Sequence, residues 1–293
     1  MPKLSANGIE FHYVQRGEGP NIVLIHGVTS SLAMWYNGVL PALTPTHRVT
    51  AFDLRGHGLT TLTENGYSSA AMAQDLIAVL EGLEIENTIV VGHSFGGVIG
   101  LHAALERPDR IKGVVMLDSG LACLRYLRII EDWAGWEKRP EVLKERGLTL
   151  ERFLELDSKQ DVTDILLHGA AAPRMGGFRK GQVGLTPRLE KLLKETKIGF
   201  EFRDVAGLTE DRLREIRTPV LALYGETSPY AKMARRLDEL IPLAFHQVIA
   251  GAGHFYAVHR PELMLPSVIA FAADPGGYVE KARLAASPAV PTA

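Results

Sequence analysis

Short apolar runs alternate with helix-length segments through the first half of the chain, and this rhythm constrains the fold more than any other feature. Asn21–Ile25, Arg48–Phe52, Thr88–Val91 and Ile111–Leu117 read as strands with largely continuous apolar runs. A strand with no polar alternation is one buried on both faces. Between them, Ser68 or Ser69 is placed to cap a helix running to about Leu83, and Phe95–Arg107 reads as a helix ended by Pro108. Asn7-Gly8 is a turn signal, so Phe11–Val14 belongs to an opening hairpin. The pattern predicts an α/β fold with a mostly parallel central sheet flanked by helices.

The rhythm breaks from about Ser119 to Arg217. Helical pieces such as Leu150–Leu156 and Leu189–Lys194 occur there, with a glycine-rich stretch at Gly169–Gly184 and no long strand. It resumes with a strand at Val220–Tyr224, a helix near Ala231–Ile241, a strand at Ala244–Ile249 and a helix at Pro261–Ala272. The reading is one core made of residues 1–118 and 218–273, a helical insertion over 119–217, and a flexible tail over 274–293, where Ala, Pro and Gly dominate.

The chemistry-bearing residues sit where strands end. Gly92-His93-Ser94-Phe95-Gly96 lies between a strand and a helix. A serine on so sharp a turn is lifted off the sheet, and the glycines two residues away let strand and helix approach. Ser94 is therefore the candidate nucleophile. His26-Gly27-Val28-Thr29 follows the strand Asn21–Ile25, and a glycine turn there can aim a backbone N–H at a substrate oxygen. The N–H groups of Val28 and Phe95 are the expected oxyanion hole. Gly251-Ala252-Gly253-His254-Phe255 follows the last strand. Of ten histidines, His254 is the one in a late glycine-rich loop, which suits a general base.

These motifs, with Asp53-Leu54-Arg55-Gly56-His57-Gly58, make the chain resemble the α/β-hydrolase superfamily over about residues 4–273. The resemblance implies that the Asp53–Gly58 loop and His93 brace the site rather than react. It implies that the insertion is a helical cap over the pocket, and that no cofactor is needed. It also exposes a departure. The family's acid usually stands three residues past the glycine ending the seventh strand, and Gly225-Glu226-Thr227-Ser228 puts a serine there. A hydroxyl can hydrogen-bond an imidazole but cannot stabilise its charge. Some relatives carry the acid one strand earlier, a position matched by Asp118. Asp118 is the favoured acid and Glu226 the alternative.

The expected activity is hydrolysis of a carboxylic ester or related acyl bond by Ser94, His254 and an acid. Lactones, thioesters and carbon–carbon bonds beside a carbonyl are rivals on the same groups. A ligand receptor or an isomerising enzyme is the non-hydrolytic alternative. The expected partner is a small molecule, apolar with a carbonyl. A net charge of -2 and the lack of a basic stripe argue against nucleic acid. The sequence shows no apolar run of the ~18 residues a membrane span needs, no leader-like segment, and one cysteine, Cys123. A cytoplasmic location is the expectation. No metal ligand set is expected.

Overall fold

The computed structural model describes residues 2–128 and 187–286. Eight strands form one sheet in the order β1-β2-β4-β3-β5-β6-β7-β8. They are β1 (Lys3–Ala6), β2 (Ile9–Arg16), β3 (Asn21–Ile25), β4 (Arg48–Phe52), β5 (Thr88–His93), β6 (Ile111–Leu117), β7 (Val220–Gly225) and β8 (Ala244–Ile249). β1 and β2 form the hairpin expected from Asn7-Gly8, and β2 pairs antiparallel with β4. All remaining pairings are parallel.

Side chains alternate across the sheet, so each continuous apolar run feeds two cores. Val23, Ile25, Val90, Val114, Met116 and Ala222 face one cluster. Ile22, Leu24, Val91, Val115, Leu117 and Leu223 face the other. The first is covered by α2 (Ser69–Gly82), α3 (Phe95–Glu106) and α7 (Ala231–Leu240). The second is covered by α1 (Val39–Leu43), α9 (Leu265–Ala273) and α10 (Pro275–Ala286). Ser68 caps α2, accepting from the N–H of Ala71 at 3.2 Å.

Of the stretch read as a flexible tail, residues 274–286 lie among the described residues. α10 begins directly after Asp274, and its Val279 is buried in the second core. The Tyr278 ring meets Phe271 edge-on at 5.8 Å. Arg283 donates to the carbonyls of Ala244 and Pro242, both at 2.7 Å. Two or three anchors fix a helix whose composition alone suggested fraying.

The inserted segment is described only at its ends, 119–128 and 187–217, so Leu150–Leu156 and Gly169–Gly184 lie outside the described residues. The described ends carry helical elements and no strand: a 3₁₀ turn at Ala122–Leu127, α4 (Pro187–Glu195), α5 (Ile198–Glu201) and α6 (Glu210–Leu213). α4 packs on the main body: Leu192 and Leu193 are buried in the first core, and Arg188 donates to the carbonyl of Gly56 at 3.2 Å. The short α8 (Tyr256–His259) follows the last loop. No helix among the described residues is long and apolar enough to cross a membrane.

Candidate active site

The parallel register brings the carboxyl ends of β3, β5, β6, β7 and β8 to one edge. Ile25 pairs with Gly92, His93 with Leu117, Leu117 with Leu223, and Gly225 with Ile249. Ligand sites of open α/β sheets form at this edge.

Ser94 stands one residue past β5 with φ 53° and ψ -121°, a conformation that costs a non-glycine residue about 1–3 kcal/mol. Its surroundings enforce it. The Ser94 N–H donates to the carbonyl of Leu117 at 2.9 Å, and its carbonyl accepts from Gly97 at 3.1 Å. Its hydroxyl does not cap α3, and the residue is half-buried. A Cβ on Gly96 would lie 2.3 Å from the carbonyl oxygen of Ile25. That absence of a side chain lets α3 start hard against the end of β3.

The turn after β3 is held by a bond from the N–H of Ser30 to the carbonyl of Gly27 at 3.2 Å. Val28 and Thr29 are its central residues, and Thr29 takes φ 67°. Gly27 abuts Ser94, since a Cβ there would sit 2.9 Å from the Ser94 Cβ. Two buried histidines pin this turn. His26 accepts from the Leu54 N–H at 3.0 Å, and its Nδ1 bonds the Gly27 carbonyl at 2.8 Å. His57 accepts from the Thr29 N–H at 3.2 Å, and its Nδ1 bonds the Arg55 carbonyl at 2.8 Å. In this arrangement each ring accepts at Nε2 and donates at Nδ1, which is the neutral form. Burial, with the neighbouring His26, pushes the His57 pKa down to about 3. Burial likewise lowers that of His26.

The Asp53 carboxylate accepts from the His12 ring at 2.7 Å, the Leu32 N–H at 2.8 Å and the Leu59 N–H at 3.0 Å. Burial acts to raise its pKa, but the neighbouring His26 and these bonds hold it below the usual value. Arg55 forks onto Asp75 at 2.8 and 2.7 Å. Every polar side chain of the Asp53–Gly58 loop is thus committed to bracing.

Asp118 is fully buried one residue past β6, at φ 54°. Its N–H donates to the Leu223 carbonyl at 2.9 Å. Its Oδ2 accepts from the Gly225 N–H at 3.0 Å, and its Oδ1 accepts the hydroxyl hydrogen of Ser228. The same Oδ1 lies 3.5 Å from Nδ1 of His254. This is an ion-pair distance, longer than the 2.7–3.2 Å of a formed N–H···O bond. Nδ1 of His254 has no hydrogen-bond partner among the described residues. Glu226 is exposed and takes a different partner, the N–H of Gly251 at 2.8 Å.

The His254 ring is boxed by aromatic groups. Tyr230 meets it edge-on at 5.2 Å, Phe255 at 4.7 Å, and the His93 ring lies 4.9 Å away. His93 Nε2 bonds the main-chain carbonyl of His254 at 2.9 Å. Burial first, and the neighbouring His254 second, push the His93 pKa down to about 3. Beneath Asp118, Tyr224 donates to the Ser119 carbonyl at 2.6 Å and Tyr256 to that of Leu223 at 3.0 Å. Burial and then the Asp118 charge raise both phenols well above their ordinary pKa. The sequence reading missed Tyr224, Tyr230 and Tyr256. Ser228 stood out there only as a missing acid. Among the described residues no three His, Cys, Asp or Glu side chains converge to hold a metal ion.

Residues 20–258 match the family model described as alpha/beta hydrolase fold. The 2-(acetamidomethylene)succinate hydrolase of Mesorhizobium japonicum is 27% identical over 267 residues, covering 88% of this chain and 89% of that protein. Epoxide hydrolase 3 of Siraitia grosvenorii is 35% identical over 116 residues, 39% of this chain, and the match spans 37% of that relative's length. A solved N-acyl homoserine lactone degrading enzyme superposes with a TM-score of 0.64 at 26% identity, covering 92% of this chain and all (100%) of that one. With most of its length matched and its sheet order and strand-end motifs in agreement, the chain belongs to the alpha/beta hydrolase fold family.

Proposed function

We propose that the protein is a serine hydrolase that cleaves a carboxylic ester or related acyl bond of a small carbonyl compound. Ser94 attacks the carbonyl carbon, and His254 takes the hydroxyl proton and then delivers it to the leaving group. Asp118 orients the imidazole and stabilises its positive charge. The N–H groups of Val28 and Phe95 hold the oxyanion.

The observation that carries this reading is the 3.5 Å approach of a fully buried carboxylate, Asp118, to Nδ1 of His254, at the strand end beside Ser94. A carboxylate at Nδ1 leaves Nε2 as the acceptor for the serine proton. For the oxyanion hole, two features speak. Phe95 is the first residue of α3, where helix N–H groups have no intrahelical acceptor. Val28 lies in a turn whose own hydrogen bond uses Ser30 instead, and Gly27 touches Ser94. In this reading the inserted segment, residues 119–217, acts as a cap that selects the substrate.

Relatives named for a lactone and for a substituted succinate support a small carbonyl substrate. A panel of p-nitrophenyl acetate, a thioester, a lactone and a β-diketone tests the reading. The expected result is a burst of p-nitrophenol equal to the enzyme concentration, with turnover on at least one acyl substrate. Absence of both, with ligand binding retained, would favour a non-hydrolytic role.

A further inference from the structure

Ser228 occupies an unusual position for a serine. It is fully buried, three residues past the end of β7. Its main chain is fixed independently of its side chain: its N–H donates to the Gly225 carbonyl at 3.1 Å, and its carbonyl accepts from Ala231 at 3.2 Å. Its hydroxyl makes two contacts, donating to Oδ1 of Asp118 and accepting from the Tyr230 N–H at 3.1 Å. Both contacts lead to His254. Oδ1 is the oxygen that His254 Nδ1 approaches, and the Tyr230 ring forms one wall of the imidazole's box.

Resting on the triad proposed above, we propose that Ser228 is a positioning residue that shares Oδ1 of Asp118 with His254 and so sets how strongly the carboxylate holds the imidazole. A carboxylate oxygen already taken by a hydroxyl donor has less negative charge to offer a second donor. The observed spacing agrees: the bonded partner is Ser228, and His254 stands off at 3.5 Å. A base held less tightly has a weaker proton affinity, and stays neutral, able to accept from Ser94, at lower pH.

Among the described residues, the groups around the imidazole leave Asp118 as the carboxylate nearest to it. From β5 comes His93, whose pKa burial pushes down to about 3. From β7 and α8 come Tyr224 and Tyr256, whose phenols are held protonated. Tyr230 comes from the segment before α7, with the Arg128 guanidinium 5.6 Å from its ring centre. Glu226, on the β7–α7 connection, is turned to Gly251. His26 acts on His93, lowering its pKa.

Histidine-selective isotope labelling and NMR titration test this, with His254 assigned by the signal lost in His254→Gln. In Ser228→Ala the pKa of His254 rises by about 1 unit, a tenfold change in proton affinity. The acid limb of kcat/KM moves to higher pH by the same amount. Ser228→Thr, which keeps the hydroxyl, returns both to within a few tenths of a unit. If the His254 titration in Ser228→Ala is unchanged or moves down, the sharing of Oδ1 is wrong. The titration reads the imidazole without turnover, so it decides this point even if Ser94 forms no acyl-enzyme.

Discussion

His93 Nε2 donates to the main-chain carbonyl of His254 at 2.9 Å, so the residue preceding Ser94 holds the backbone of the proposed base. The bond joins the end of β5 to the loop that carries His254, 161 residues apart in sequence. It ties the residue next to Ser94 to the backbone of His254. His93→Ala is expected to lower kcat roughly tenfold to a hundredfold, since small misplacements of reacting groups carry such costs. His93→Gln, with an amide N–H near the lost Nε2, is expected to recover part of it. Steady-state kinetics on the best acyl substrate, with circular dichroism to check folding, distinguishes these outcomes. Equal activity in the alanine variant would remove His93 from the positioning of the base.

The close approach of α3 to β3 predicts a steep penalty for any side chain at Gly96. Its Cβ would meet the Ile25 carbonyl oxygen at 2.3 Å, and backbone cannot step aside as a flexible side chain can. Gly96→Ala should lose at least about 2 kcal/mol of stability. Gly276→Ala, in α10 with open space around its Cβ, should be neutral or gain about 0.5 kcal/mol. Urea unfolding of the two variants side by side checks both.

Buried neutral histidines predict acid sensitivity. His57 and His93 have folded-state pKa values of about 3, below the unfolded value near 6.5. As pH falls through 6.5 the unfolded chain takes up protons that the folded chain refuses, so stability drops progressively down to about pH 3. The two together are expected to remove several kcal/mol, to order of magnitude, across that window. Unfolding midpoints at pH 7, 5 and 4 should fall steadily, and His57→Gln should make the fall shallower. A slope unchanged in His57→Gln would contradict the linkage.

The two acid candidates separate cleanly. Asp118→Asn should lower kcat roughly 10⁴-fold, the cost of losing the acid in such triads. Glu226→Gln, at an exposed side chain bonded to Gly251, should stay within about twofold of the parent. The reverse order in kcat would reassign the acid.

Much of the site was legible because strand ends carry their own signals. The apolar runs Asn21–Ile25 and Thr88–Val91 locate β3 and β5, and Gly92 and Gly96 flanking Ser94 mark the sharp turn. What local sequence could not supply is register. That His93 reaches the carbonyl of His254 follows from the order β5-β6-β7-β8, set by contacts far apart in the chain. The same holds for Ser228: as a sequence position it is a missing carboxylate, and only its burial against Asp118 reveals a donor. α10 is not legible from composition, since Ala, Pro and Gly favour fraying in isolation, whereas the burial of Val279 and the bond from Arg283 to Ala244 depend on contacts distant in sequence.

The central claim is that Ser94 is an activated nucleophile. Intact-protein and peptide mass spectrometry after treatment with a fluorophosphonate reads it directly. The account predicts one adduct per chain, on the peptide containing Ser94, abolished in Ser94→Ala and much slower in His254→Gln. No adduct on the wild-type protein, or an adduct that survives Ser94→Ala, would contradict it.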